Sequence, residues 1–369
     1  DALNTMAAIY NLADDRNKTE AVYQDIVKSD PNNRTAMLGL ARLAVRDGAF
    51  EKAKSWLEKA AKSDDQRGAL GVEWAVIHLM NNDVPRARLA LQEATDLQPK
   101  NLQAWAMLAM VQMQQNEMNE VEKVVLPKME KIAGTADDYF VQITRAQLWM
   151  KKGSDLSAKK TAREAFIRAS MLRSDIPGVK DMILQLDIAM NDQAAAELHA
   201  RQVLRTSRKH ALANYVMGSL RLQEGSYGEA EDFLRRSVES NPSAAALNDL
   251  AEVLRRVRKF DEAEHSVRQA LKLSPELYVA WETLGSILLD SNKDLDEAEH
   301  AIRKALDLYK EDLRINITLA RIQIKKGNVE LARKTLHQIK SRQSELSKYD
   351  QDEMALLIDQ TTPGRNRKP

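Results

Sequence analysis

The sequence predicts an all-α protein, an array of about ten helical hairpins, and three observations predict it. Turn formers are scarce: 13 Gly and 9 Pro among 369 residues are about half the combined share of roughly 12% in average proteins, too few for a many-stranded sheet. Alanine appears 48 times, charged residues make up 30% and aromatics 5%, a mixture of strong helix formers and exposed charge. The apolar pattern also repeats. Pro31 and Pro99 lie 68 residues apart, twice 34, and Pro242 and Pro275 lie 33 apart, each closing an apolar segment of helical period. A prior of domains of about 150 residues each therefore gives way to one elongated array over residues 1–345.

The unit is clearest from Leu247 to Pro275. Leu247, Leu250, Ala251 and Leu254 are spaced i, i+3, i+4, i+7, and Ala263, Val267 and Ala270 are spaced i, i+4, i+7. These are two helical stripes, separated by the polar turn Arg258-Lys259-Phe260-Asp261. In chain order, the first copy reads Leu3, Met6, Ala7, Tyr10, Tyr23 and Pro31, and the second Met37, Leu40, Ala41, Ala53, Leu57 and Ala60. The third reads Trp74, Ala75, Ala87, Leu91, Ala94 and Pro99. The fourth opens on Trp105, Leu108 and Ala109, and Pro127 is expected to kink or end its second helix, because proline lacks an N–H and crowds the preceding turn.

The fifth copy carries about four extra residues around Ser154 to Ser157, with Ala162, Phe166 and Ala169 in its second helix. The sixth keeps Ala196, Ala200 and Val203 but has Leu184 where a small residue belongs, so residues 120–205 are expected to be a degenerate middle. Met217, Gly218, Ala230, Leu234 and Pro242 mark the seventh copy. Trp281, Leu284, Gly285, Leu288, Ala298, Ile302 and Ala305 mark the ninth, and Leu319, Ala320, Ala332 and Leu336 the tenth. Residues 346–360 read as a lone amphipathic capping helix through Met354, Leu357 and Ile358, and residues 361–369 as a disordered basic tail. No comparable cap precedes Leu3, so more repeats or another domain are expected upstream of the abrupt start at Asp1.

This order resembles the tetratricopeptide repeat (TPR) family, whose pattern runs W-x2-L-G-x2-Y, then A-x3-F, then P over 34 residues. The resemblance covers residues 1–345 and implies a right-handed α-α superhelix, a TPR solenoid. Small residues such as Gly285 and Ala251 let the two helices of a hairpin approach closely. A single hairpin cannot bury both of its stripes, so each stacks on the next.

In that family, positions 5, 9, 12 and 13 of the first helix line a concave groove for partner peptides. Carried over, these are Val72, Val76, Leu79 and Met80, then Ala106, Met110, Met113 and Gln114, then Ile143, Gln147, Met150, Gln185, Ile188, Tyr215, Ser219 and Leu222. Charge takes over beyond them, with Asn248, Glu252, Arg255, Arg256, Glu282, Ser286, Asp290, Arg321 and Lys325. Nine of the 14 methionines lie between Met107 and Met190, where flexible thioethers suit either an adaptable groove or an irregular core. From Arg303 to Lys348 there are 12 basic and 5 acidic residues, which fits an acidic partner patch or plain solvation. The carboxylate clamp by which some TPR domains hold chaperone tails needs Lys and Asn at positions 5 and 9. Asn4 and Ala8, Leu38 and Arg42, and Val72 and Val76 do not supply it.

Charge and motif searches narrow the function. Lys plus Arg is 55 and Asp plus Glu 54, so no net field draws the chain to nucleic acid or an anionic membrane. Without cysteine there is no disulfide, thiolate metal site or cysteine nucleophile, and no apolar run approaches the roughly 20 residues of a membrane span. Phosphate-loop, dinucleotide, H-E-x-x-H and G-x-S-x-G motifs are missing. The six histidines scatter without i, i+4 partners, so neither metal nor cofactor is expected. The expectation is a soluble, non-catalytic scaffold binding an extended or helical segment of a partner protein, with cytoplasmic and periplasmic placement both open. Two alternatives stand beside it: a TPR component of a bacterial envelope assembly or polysaccharide-export or secretion system, and the recognition arm of an enzyme whose catalytic domain lies upstream.

Overall fold

The structure, a computed structural model, describes residues 15–61, 70–174 and 176–362. Among these residues it is helical throughout, with no strand. The chain divides into two compact units, Asp1–Leu186 and Asp187–Pro369, and the division falls inside the stretch that the sequence marks as degenerate. The first copy's opening helix and the tail beyond residue 362 lie outside the described residues.

In the first unit, Arg16–Ser29 is followed by the hairpins Arg34–Arg46 with Phe50–Ala60, Gly71–Met80 with Val84–Leu97, Leu102–Gln114 with a helix resuming at Met118, and Tyr139–Lys152 with Leu156–Leu172. In the second, Gln193–Thr206 is followed by Ala211–Gln223 with Tyr227–Ser240, Ala244–Arg256 with Phe260–Leu273, Tyr278–Ser291 with Leu295–Leu308, and Leu313–Lys325 with Val329–Ile339. Helix starts are capped from the side chain. The Ala36 N–H donates to Asn33 Oδ1 at 3.1 Å, Ala104 to Asn101 at 3.1 Å and Ala158 to Asp155 at 2.9 Å, satisfying donors that the first turn leaves unpaired.

The expected small positions pack as the pattern requires. Ala41, Ala75, Ala109, Ala251 and Ala320 are all buried, as are Ala53, Ala87, Ala263, Ala298 and Ala332 on the partner helices. Two features of the hairpins escape the apolar pattern. The first is the turn between the two helices, which in every described hairpin but the fifth holds one left-handed residue: Gly48, Asn82, Asn116, Asn191, Gly225, Arg258, Asn292 and Gly327. Glycine and asparagine adopt that conformation most readily, and apart from the gap at the fifth hairpin their spacing is itself close to 34. Arg258 is the exception in residue type.

The second feature pins each first helix to the connection before it. Trp105 Nε1–H donates to the Pro99 carbonyl at 2.9 Å and Trp281 to the Pro275 carbonyl at 2.8 Å. At the equivalent position, Gln142 Nε2 donates to the Ala136 carbonyl at 2.8 Å and Asn214 Nδ2 to the Arg208 carbonyl at 2.9 Å. The fifth and seventh copies, which lack the tryptophan, thus keep its hydrogen bond through a buried amide.

Two expectations change in the degenerate stretch. Pro127 neither ends its helix nor interrupts its helical backbone: Met118–Glu120 passes through a π-helical turn, Val121–Val125, into Leu126–Ala133. There the Leu126 N–H reaches the Val121 carbonyl five residues back. Widening the turn by one residue accommodates the proline ring and its missing donor. The extra residues of the fifth copy are not in its turn either, since Gly153–Asp155 is as short as Asp47–Ala49. They lengthen the second helix to 17 residues, against 14 for Val84–Leu97. Leu184 is buried in place of a small residue.

At the C-terminal end, a 3-10 segment Lys340–Glu345 leads into the helix Lys348–Thr361. Met354 and Leu357 are buried there against Leu313, Ile317, Ala320, Ala332 and Leu336, so the helix covers the last hairpin.

Candidate functional site

In the first unit the expected groove positions converge on an open pocket of about 420 Å³. The helices Leu102–Gln114 and Tyr139–Lys152 present Met110, Gln114, Ile143, Gln147, Met150 and Lys151, with Phe166, Val179 and Met182 completing its apolar wall. Met110 is half-buried and Met150 exposed, whereas Met113 touches the pocket but is itself buried in the core beside Trp105 and Leu148. The methionines thus serve both readings, Met113 as core and Met110 and Met150 as open surface. Val76, Met80 and Gln185 lie outside this pocket, Val76 half-buried and the other two exposed.

In the second unit Tyr215 and Ser219 line a smaller cavity of about 90 Å³ together with Asp187 and Ile188. Asp187 is fully buried and held 2.7 Å from His199 Nδ1, a contact between consecutive helices that the scattered-histidine reading missed. Leu222 lies outside the cavity, half-buried against the hydrophobic core.

The charged positions do not form a free basic surface. Arg255 donates to Glu252 at 2.7 and 2.8 Å and also bonds Asp290, and Arg256 shares Glu252 at 2.7 Å. Arg321 reaches Asp290 at 3.4 Å and Glu353 of the capping helix at 3.5 Å, while Lys325 Nζ donates to the Leu289 carbonyl at 2.9 Å. Lys326 meets Asp296 and Glu299 at 2.6 Å. Arg255, Arg256, Arg321 and Lys326 are thus paired with carboxylates inside the array, some within one helix and some about one repeat away.

Two carboxylates are treated differently. Asp249 interacts with the Ser219 hydroxyl and Asn248, whose Nδ2 lies at 3.4 Å; burial pushes its pKa up to about 6, with Glu252 adding to the rise. Burial pushes Glu282 up to about 7, Arg314 opposing and Asp312 and Glu252 reinforcing the rise. Tyr215, buried and facing Asp249, is pushed up to about 12. Folding raises both acids above their ordinary values, so the folded protein holds these protons to higher pH than the unfolded chain. Stability falls as pH rises from about 4 to about 7, and the whole cost stands above that range. Glu282→Gln should therefore gain on the parent by about 2–3 kcal/mol between pH 4 and pH 8. Urea unfolding at both values checks this; an unchanging gap would mean that Glu282 ionises freely.

Among the described residues no cluster of three or more His, Asp or Glu side chains could hold a metal ion, and no helix is long and apolar enough to cross a membrane.

Two sequence profiles, both of the tetratricopeptide repeat, match the chain, one at residues 12–70 and 291–350 and the other at 72–120, 184–245 and 248–312. No curated protein matches the sequence. A solved structure described as the APC/C hetero-tetramer Cut9–Hcn1 is similar, with a TM-score of 0.52 at 14% identity over 95% of this chain and 75% of that one. A tetratricopeptide repeat protein from Parabacteroides merdae ATCC 43184 gives 0.43 at 17% identity, over 70% of this chain and 99% of that one. At such identity the first likeness is one of fold.

Proposed function

The chain belongs to the tetratricopeptide repeat family, and from that premise we propose that it is a non-catalytic scaffold holding an extended or helical segment of a partner protein. The partner lies along the face made by the first helices of successive hairpins. The observation that carries this reading is the open apolar pocket around Met110, Ile143, Gln147 and Met150. Its volume falls within the range of ligand sites, and its composition is the one they favour, an apolar wall with a few polar groups to orient a chain. Thioethers adapt their shape to an apolar partner side chain.

The test is capture of the partner with the intact array, identification by mass spectrometry, and calorimetric titration of variants. Covering Met110 or Met150 contributes about 1.5–3 kcal/mol each, so Met110→Glu, which buries an unpaired charge in the complex, should weaken binding by about tenfold or more. Reversing Arg321 and Lys325 should change affinity little, because both are already engaged within the array. Normal binding by Met110→Glu and Met150→Glu would overturn the assignment. Met113 is unsuitable for the test, since its burial makes a charge there a stability defect.

A further inference from the structure

Cations are fully committed around the first-helix face of the second unit, but two carboxylates are not. Arg255 bonds Glu252 and Asp290, Arg314 bonds Asp312, and Arg221 bonds Glu197 and Glu224. Asp249 and Glu282, both half-buried, have no cation within ion-pair distance among the described residues. Beside Asp249 stands a second unmet need. Asn248 is 8% exposed, its amide nitrogen faces Asp249 Oδ1, and its own Oδ1 has no hydrogen-bond partner. The Asn248 Oδ1 is thus an acceptor without a donor, beside a carboxylate that only the Ser219 hydroxyl and the Asn248 amide engage, and buried acceptors left unsatisfied are costly.

We propose that this face receives a cationic segment of the partner, with arginine or lysine side chains set against Asp249 with Asn248 and against Glu282. The inference rests on the scaffold reading above and adds the partner's chemistry. A guanidinium fits best, because its planar fork of donors can bond a carboxylate and an adjacent carbonyl together. Both acids are kept at a cost to the free protein, as their raised pKa values indicate, and a bound cation would recover that cost. Arg321 and Lys326 at the C-terminal end are already paired with Asp290, Asp296, Glu299 and Glu353, which leaves them less charge for an acidic partner.

The experiment uses the full chain and fluorescein-labelled hexa-arginine, hexa-lysine and hexa-glutamate peptides, followed by anisotropy at low and physiological salt. Hexa-arginine should bind saturably, hexa-lysine more weakly and hexa-glutamate not at all. The shape-preserving double variant Asp249→Asn/Glu282→Gln should lose about tenfold or more in affinity. The control Glu276→Gln/Asp307→Asn, which changes exposed carboxylates elsewhere, should bind as the parent does. Circular dichroism checks folding, and Glu282→Lys, expected to shift preference toward hexa-glutamate, gives an independent reading. Failure of hexa-arginine to bind, or equal losses in both double variants, overturns the proposal. If the captured partner binds with dependence on Met110 but not on Asp249 or Glu282, the scaffold reading stands and this inference falls.

Discussion

Gly71→Ala is expected to destabilise the first unit by about 3 kcal/mol, at the upper end of overpacking costs. A Cβ at Gly71 would sit 2.2 Å from the Ala90 carbonyl oxygen and 2.7 Å from the Ala94 Cβ, both on the partner helix Val84–Leu97. Neither atom belongs to a side chain that can rotate away, so the helices must separate and open the core around Trp74 and Ala75. Gly285→Ala meets the Ile302 side chain at 2.6 Å, which can change rotamer, so a smaller loss is expected. Gly48→Ala meets nothing within 4 Å, but its φ of +70° leaves a backbone cost of about 1 kcal/mol. Urea unfolding of the three variants checks the order. A Gly71→Ala midpoint no lower than that of Gly48→Ala would refute the close approach.

Truncation after Ser344 should be the other severe change. It removes the buried Met354 and Leu357 and bares Leu313, Ile317 and Leu336 on the last hairpin. With Leu346, three buried apolar side chains are lost, at a cost of about 5 kcal/mol or more. In a stacked array, where stability is a sum over neighbouring interfaces, that loss falls on the terminal repeats. The truncated chain should show an early melting step and concentration-dependent self-association, read by calorimetry and light scattering. A monodisperse truncation with the parent's melting curve would show that Lys348–Thr361 is not a cap.

Much of this architecture is legible from residue order, because its cause is local. Alternation of small and large apolar residues at i, i+4 and i+7 dictates where two helices can touch, and Ala251 or Gly285 can serve only where they come close. The stripe through Met354, Leu357 and Ile358 marks the packed face of the C-terminal helix for the same reason. The left-handed turn residues are also legible, through Gly or Asn recurring near every 34 residues except in the fifth hairpin and at Arg258, but an apolar scan passes over them. Gln142 and Asn214 were hidden more deeply: their kinship with Trp105 and Trp281 lies in a shared hydrogen bond six residues back, not in side-chain type.

The candidate site divides along the same line. By itself the sequence determined the all-α repeat, its register, and which residues could face a partner, since all three follow from spacing along one helix. Only the tertiary structure decided which of those faces remain available. Met113 and Met110 are three residues apart, yet one is sealed in the core and the other borders open space, because neighbouring helices cover one side and not the other. Arg255 and Arg321 read as free positive charge until Asp290, 35 and 31 residues away, pairs with them, and Lys325 until it donates to the Leu289 carbonyl 36 residues away. Asp249 carries no mark in the sequence and Glu282 only a groove position, although packing half-buries both without an ion pair. Burial and charge pairing are properties of neighbours brought together by stacking, and the distance between repeats in space is not written in their distance along the chain.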